Sequence, residues 1–205
     1  ASIGLSLFPR DGDDIETLVD HAEHAVANAQ ALGRNKGAFY NKELAAAAGH
    51  QLQQEIELRR AIDGGELVLH YQPKFDLGSG RVIGVEALVR WQHPERGLLP
   101  PADFIPLAEE RGLVVSLGHR VFDLACQQIA RQRLLHPEWP PLATAINLSA
   151  LSFLEDNLVE RVTRRAEHYA IPAGTITLEV TETSLMQCIN TAVSRLERLR
   201  EAGVD

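Results

Sequence analysis

From residue 66 onward the chain alternates between two periodicities, and few folds accept that alternation. Residues 66–75 and 81–91 read as strands of period two, and Gly78-Ser79-Gly80 between them predicts an antiparallel hairpin with a short loop. Helical spacing takes over at 103–111 and 116–135, a strand returns at 142–147, a helix at 152–169, a strand at 175–180 and a helix at 190–202. Strands separated by helices pair in parallel through right-handed crossovers. The expected class is therefore α/β, either part of a (β/α) barrel or an open doubly wound sheet. A closed barrel of eight units takes about 250 residues. The chain has 205 in all, so only part of a barrel is expected.

Each strand carries something polar opposite its apolar face. In 81–91 the pleat puts Ile83, Val85, Ala87, Val89 and Trp91 on a side that wants helices against it, and Gly84, Glu86, Leu88 and Arg90 on the other. Further on, Ile146 and Leu148 oppose Asn147 and Ser149, while Ile176, Leu178 and Val180 oppose Thr177, Glu179 and Thr181. Glu86, Asn147 and Glu179 thus sit near the C-terminal ends of three strands, the end where barrels keep their active sites. Two carboxylates and an amide oxygen form a hard donor set suited to Mg²⁺ or Mn²⁺. Taken singly, each could instead pair inside the sheet, Glu86 with Arg90 for instance. Three together on successive strands favour the metal.

Before the hairpin, residues 2–8 read as a strand stopped by Pro9-Arg10-Asp11-Gly12. A helix follows through Leu18, Ala22, Ala25, Val26 and Ala29, with Gly33 placed to cap it. Residues 41–62 read as a connecting helix closed by Asp63-Gly64-Gly65. The expected divisions are 1–40, 41–64 and 65–205.

With 20 basic against 28 acidic residues the net charge is −8, which repels a polyanion, so no nucleic-acid polymer is expected as a partner. A small anion held by arginine or by a metal stays compatible with that charge. No apolar run nears the roughly 20 residues of a membrane helix, and no signal peptide opens the chain, so a cytoplasmic segment is expected; a membrane anchor elsewhere in a longer parent stays open. Cys126 and Cys188 lie far apart in predicted helices and read as reduced, partly buried thiols. His93, alone in the loop after Trp91, reads as solvated or structural rather than as a ligand. Arg161, Arg164 and Arg165 read as a solvated helix face. Leu117, Val121 and Leu124, and likewise Leu154, Leu158 and Val162, read as core stripes.

The run Glu86-Ala87-Leu88-Val89-Arg90-Trp91 follows Tyr71-Gln72-Pro73. It precedes, in order, the block from Pro101 to Gly112, then Ile146-Asn147-Leu148-Ser149 and Leu178-Glu179-Val180-Thr181-Glu182-Thr183. Five ordered blocks of this kind resemble the EAL domain family of bacterial cyclic-di-GMP signalling. The resemblance implies a TIM-like (β/α)8 barrel whose first strand runs antiparallel to the rest. It implies a phosphodiesterase that hydrolyses cyclic di-GMP to linear pGpG with two Mg²⁺ or Mn²⁺ ions. Carried over, Glu86, Asn147 and Glu179 match the metal ligands, Gln72, Leu88 and Arg90 match positions that contact the ligand, and Glu182 matches a glutamate that holds a catalytic loop. Glu86 and Glu182 are the catalytic pair on this reading. A homodimer and an upstream sensory domain are implied for the intact parent.

Residues 1–40 resemble the end of a GGDEF domain through Ser2-Ile3-Gly4-Leu5 and Gly33-Arg34-Asn35. Gln30 and Ala27 stand where that family usually has lysine and tyrosine, which weighs against cyclase activity and for a degenerate regulatory domain. The aspartate-rich DDFG block of EAL domains is expected beyond Asp205. The 205 residues alone are therefore expected not to turn over cyclic di-GMP, and to associate through an open strand edge. Two alternatives stay open: a catalytically silent cyclic-di-GMP receptor, and an unrelated metal-dependent barrel. Gln72 and Arg90 weigh against the latter because they suit a phosphodiester.

Overall fold

A computed structural model describes residues 1–31, 33, 35–180 and 189–205. The chain divides into two compact units, Ala1–Glu57 and Leu58–Asp205.

In the first unit, strand β1 (Ile3–Leu5) pairs in parallel with β2 (Gly37–Phe39), and helix α1 (Ile15–Ala31) lies between them in sequence. A Cβ on Gly4 would stand 2.0 Å from the Ala22 carbonyl oxygen and 2.6 Å from the Val26 nitrogen, so only glycine lets the helix backbone rest on β1. The strand expected over 2–8 ends early for a local reason. The Asp11 carboxylate accepts the Leu7 N–H at 2.7 Å, and the Asp11 N–H donates to the Leu7 carbonyl, closing a turn. Its hydrogen bond from Arg10 holds the Asp11 carboxyl below the usual carboxylate range. Gly33, at φ +106°, has the left-handed backbone expected of a helix cap, whereas Arg34 lies outside the described residues.

Helix α2 (Lys42–Gly64) covers the expected connecting helix. Its last turns belong to the second unit, where Leu58, Ala61 and Ile62 are buried in the core.

The second unit is built on β3 (Leu67–Phe75), β4 (Val82–His93), β6 (Ala143–Leu148) and β7 (Ile176–Val180), in that spatial order, with the short β5 (Gly97–Leu99) on the end of β4. β3 and β4 are antiparallel; β4–β6 and β6–β7 are parallel. In the β3–β4 loop the Asp76 carboxylate accepts the Ser79 N–H at 2.7 Å and its hydroxyl at 2.6 Å. Beyond β7 the backbone of 203–205 runs along its edge. Asp205 N–H donates to the Ile176 carbonyl at 3.1 Å, and Leu178 N–H donates to the Asp205 carbonyl at 2.6 Å.

A 3₁₀ turn at Pro101–Asp103 leads into α3 (Ile105–Glu110), followed by α4 (Val114–Leu135). The stripe Leu117, Val121, Ala125 and Ile129 of α4 is buried, and Leu124 is partly so. Ile83 departs from the expected apolar face, being 58% exposed near the start of β4. The single helix expected over 152–169 is two: α5 (Ala150–Phe153) and α6 (Leu158–His168). Ser149 caps α5 by accepting the Ser152 N–H at 3.1 Å, and the chain turns before restarting at Leu158. Helix α7 (Ile189–Glu201) completes the unit. No described helix is long and apolar enough to cross a membrane.

Candidate active site

The strand registers decide which side chains share a face. Antiparallel partners point the same way, so Gln72 stands with Glu86, Lys74 with Gly84, His70 with Leu88 and Val68 with Arg90. Across the parallel pairs Gly84 aligns with Ala143, Glu86 with Ala145, and Asn147 with Glu179. One face of the sheet therefore collects Gln72, Lys74, Glu86, Leu88, Arg90, Asn147 and Glu179. Asn147 lies one pleat beyond Glu86, and its amide Nδ2 closes that offset by donating to Glu86 Oε1 at 2.7 Å. Glu179 accepts from Lys74 Nζ at 2.6 Å, on Oε1.

Small residues make that reach feasible. Gly84, Ala143 and Ala145 lie on the same face between β3 and β7, and a Cβ on Gly84 would stand 2.8 Å from the Ala143 carbonyl oxygen. Higher up β4, Arg90 Nη1 donates to the Val89 carbonyl at 2.8 Å. Glu86 takes its hydrogen bond from Asn147 rather than from Arg90, so the pairing weighed from sequence is replaced by one that joins two strands. Gln72 and Asn147 are exposed and Glu179 is partly so, leaving the face open to a ligand. Glu182 lies outside the described residues.

The donors suit a divalent ion of oxygen preference: two carboxylates, each with one oxygen engaged, and an amide between them. Among the described residues no three His, Cys, Asp or Glu side chains stand at metal spacing. Lys74 is the neighbour that opposes a cation. Sequence reading passed over it, although it lies two residues beyond Gln72 on the same strand face. A cavity of about 600 Å³ opens beside the site, under α3 and α4; Leu88, Ile105, Leu117 and Val121 wall it, and Asn147 and Glu179 edge it.

Other candidates resolve into structure. His93 is buried, and its Nδ1 accepts the N–H groups of Glu95 and Arg96, each at 3.1 Å, which makes it a turn brace. Cys126 is fully buried in α4, and burial pushes its thiol up to about 12; Cys188 lies outside the described residues. Arg165 pairs with Asp123 at 2.8 Å and Arg161 approaches Glu155 at 3.7 Å, so the face expected to be solvated is partly ion-paired, with Arg164 exposed on it.

A model of the EAL domain family matches residues 55–205. The chain is 41% identical over its whole length to the bifunctional diguanylate cyclase/cyclic di-GMP phosphodiesterase MucR of Pseudomonas aeruginosa, and 41% identical to the cyclic di-GMP phosphodiesterase NbdA of the same organism. Over 98% of its length it is 34% identical to the cyclic di-GMP phosphodiesterase PdeR of Escherichia coli. It spans 30%, 26% and 30% of those proteins, respectively. Among solved structures it is similar to the PaMucR phosphodiesterase in complex with c-di-GMP, at 41% identity and a TM-score of 0.68, over 74% of this chain and 61% of that one. The EAL domain of Xanthomonas citri FimX, in complex with c-diGMP, matches at 20% identity and a TM-score of 0.69, over 77% and 60% respectively, a likeness of fold.

Proposed function

The chain belongs to the EAL domain family, and on that premise we propose that it is part of a divalent-metal-dependent phosphodiesterase that hydrolyses cyclic di-GMP to linear pGpG. The observation that carries this reading is the meeting of Glu86, Asn147 and Glu179 on one face of three adjacent strands, with Asn147 bonded to Glu86. These three would hold a cation, and Mg²⁺ or Mn²⁺, two in the complete barrel, would supply polarisation of a phosphoryl oxygen and activation of water. Gln72, directly across from Glu86, would orient the phosphodiester. Arg90, whose Nη1 donates to the Val89 carbonyl, would offer further guanidinium hydrogens to a phosphate. Leu88 gives the ligand an apolar wall at the cavity. Glu182 is proposed to hold a catalytic loop.

The wider reading follows the family. The sheet belongs to a TIM-like barrel in which β3 is the antiparallel first strand. Residues 1–40 are the tail of a degenerate GGDEF domain, 41–64 a connecting helix and 65–205 EAL domain. The parent is proposed to be a homodimer acting in the cytoplasm under a sensory domain.

The test is chromatography of cyclic di-GMP after incubation with the full-length protein and Mg²⁺ or Mn²⁺. Conversion to pGpG is expected, with Glu86→Ala reduced to background. A polypeptide of these 205 residues alone, without an aspartate-rich block, is expected to leave cyclic di-GMP uncleaved. Binding without conversion by the folded full-length protein would replace the enzyme with a cyclic-di-GMP receptor.

A further inference from the structure

The two carboxylates of the site are not equivalent. Glu86 is held by a neutral amide, whereas Glu179 is held by an ammonium at 2.6 Å. Lys74 comes from β3, three strands away in the sheet and 105 residues away in sequence, and both side chains of the pair are a little over one-third exposed. The register shift between Lys74 and Phe75 re-aims the end of β3, and Gly84, Ala143 and Ala145 leave the intervening face low enough for a lysine stem to cross.

Resting on the proposed metal site, we infer that Lys74 is a resident counter-cation of Glu179, against which a divalent ion must compete, so that its charge sets how tightly this face of the sheet holds metal. Two effects of the lysine oppose each other. It fixes the Glu179 carboxylate in place, which spares a metal the cost of ordering one side chain. It also sets a positive charge beside the position a doubly charged ion would take, and that repulsion scales with the product of the charges. Partial exposure screens the repulsion without abolishing it. Repulsion outweighs the ordering of a single rotamer, so removing the charge tightens metal binding.

The test titrates Mn²⁺ alone, without nucleotide, into the full-length protein and follows binding by calorimetry and by the spin signal of free Mn²⁺. Lys74→Met is expected to tighten Mn²⁺ binding about three- to fivefold, the scale of a partly exposed ion pair. Lys74→Arg, which keeps the charge, is expected to bind as the parent does. Glu179→Gln, which removes a ligand, is expected to weaken binding. The gain in Tm on adding Mn²⁺ to the chelator-treated protein is expected to be larger for Lys74→Met than for the parent, a difference a merely structural lysine would not produce. Equal or weaker binding by Lys74→Met, with Glu179→Gln still impaired, overturns the role of Lys74 and leaves the site intact. Unchanged binding by Glu179→Gln removes Glu179 from the ligand set and overturns both.

Discussion

Gly84 is fixed as glycine by the backbone opposite it. The Ala143 carbonyl oxygen would lie 2.8 Å from any Cβ, and that carbonyl cannot yield without moving β6 against β4. Gly84→Ala is expected to cost about 1–3 kcal/mol, read as a fall in Tm, because it overpacks a strand pair. Cys126 makes the converse prediction. Buried completely, with its thiol pushed up to about 12, it is expected to resist a thiol reagent at neutral pH and to react once denaturant opens the second unit. Glu86, Asn147 and Glu179 were legible as polar positions on period-two strands. Their partners were not, because a hydrogen bond spanning 61 residues and an ion pair spanning 105 exist only through the registers of β3, β4, β6 and β7.

At the scale of elements, the long strands and the short β1 announced themselves by alternation, whereas β2 and β5 did not. β2 and β5 have three residues each, too few for a period to repeat, and each is set by the strand beside it. The break between α5 and α6 was hidden because Leu154, Leu158 and Val162 keep helical spacing straight through it. What divides them is the turn at 154–157, where the Leu158 N–H donates to the Glu155 carbonyl at 3.2 Å. At the other end of α5 Ser149 caps the helix, so Ser149→Ala is expected to lower stability by about 1 kcal/mol in a denaturant melt. The β3–β4 loop adds a pH signature. Its two hydrogen bonds from Ser79 hold the Asp76 carboxyl below the ordinary value. A carboxyl depressed in the folded state stabilises above its unfolded pKa and loses that contribution as pH falls through the folded one. The Tm gap between the parent and Asp76→Ala is therefore expected to be full near neutrality and to close in acid below the usual carboxylate range.

For the whole molecule the informative boundary is the one inside α2. The second compact unit starts at Leu58, so the last turns of that helix are structural parts of the sheet unit. Leu58→Ala is expected to cost about 2–5 kcal/mol by cavity formation. A polypeptide beginning at residue 66 is expected to melt below one beginning at residue 55, since it lacks Leu58, Ala61, Ile62 and the Arg60 contact to Glu66 at 3.1 Å. That contact continues inward. Glu66 Oε2 accepts the indole N–H of Trp91 at 3.0 Å, and Trp91 sits edge-on to Phe104 at the end of the strand that carries Glu86 and Arg90. The chain has two tryptophans, and the other, Trp139, is 51% exposed and stacked on His136. An aqueous quencher therefore silences Trp139 first and leaves the emission of Trp91, whose colour and lifetime depend on the carboxylate bound to its indole. Light emitted from the centre of the second unit thus reports, without any added dye, how firmly the end of α2 grips the strand that would do the chemistry.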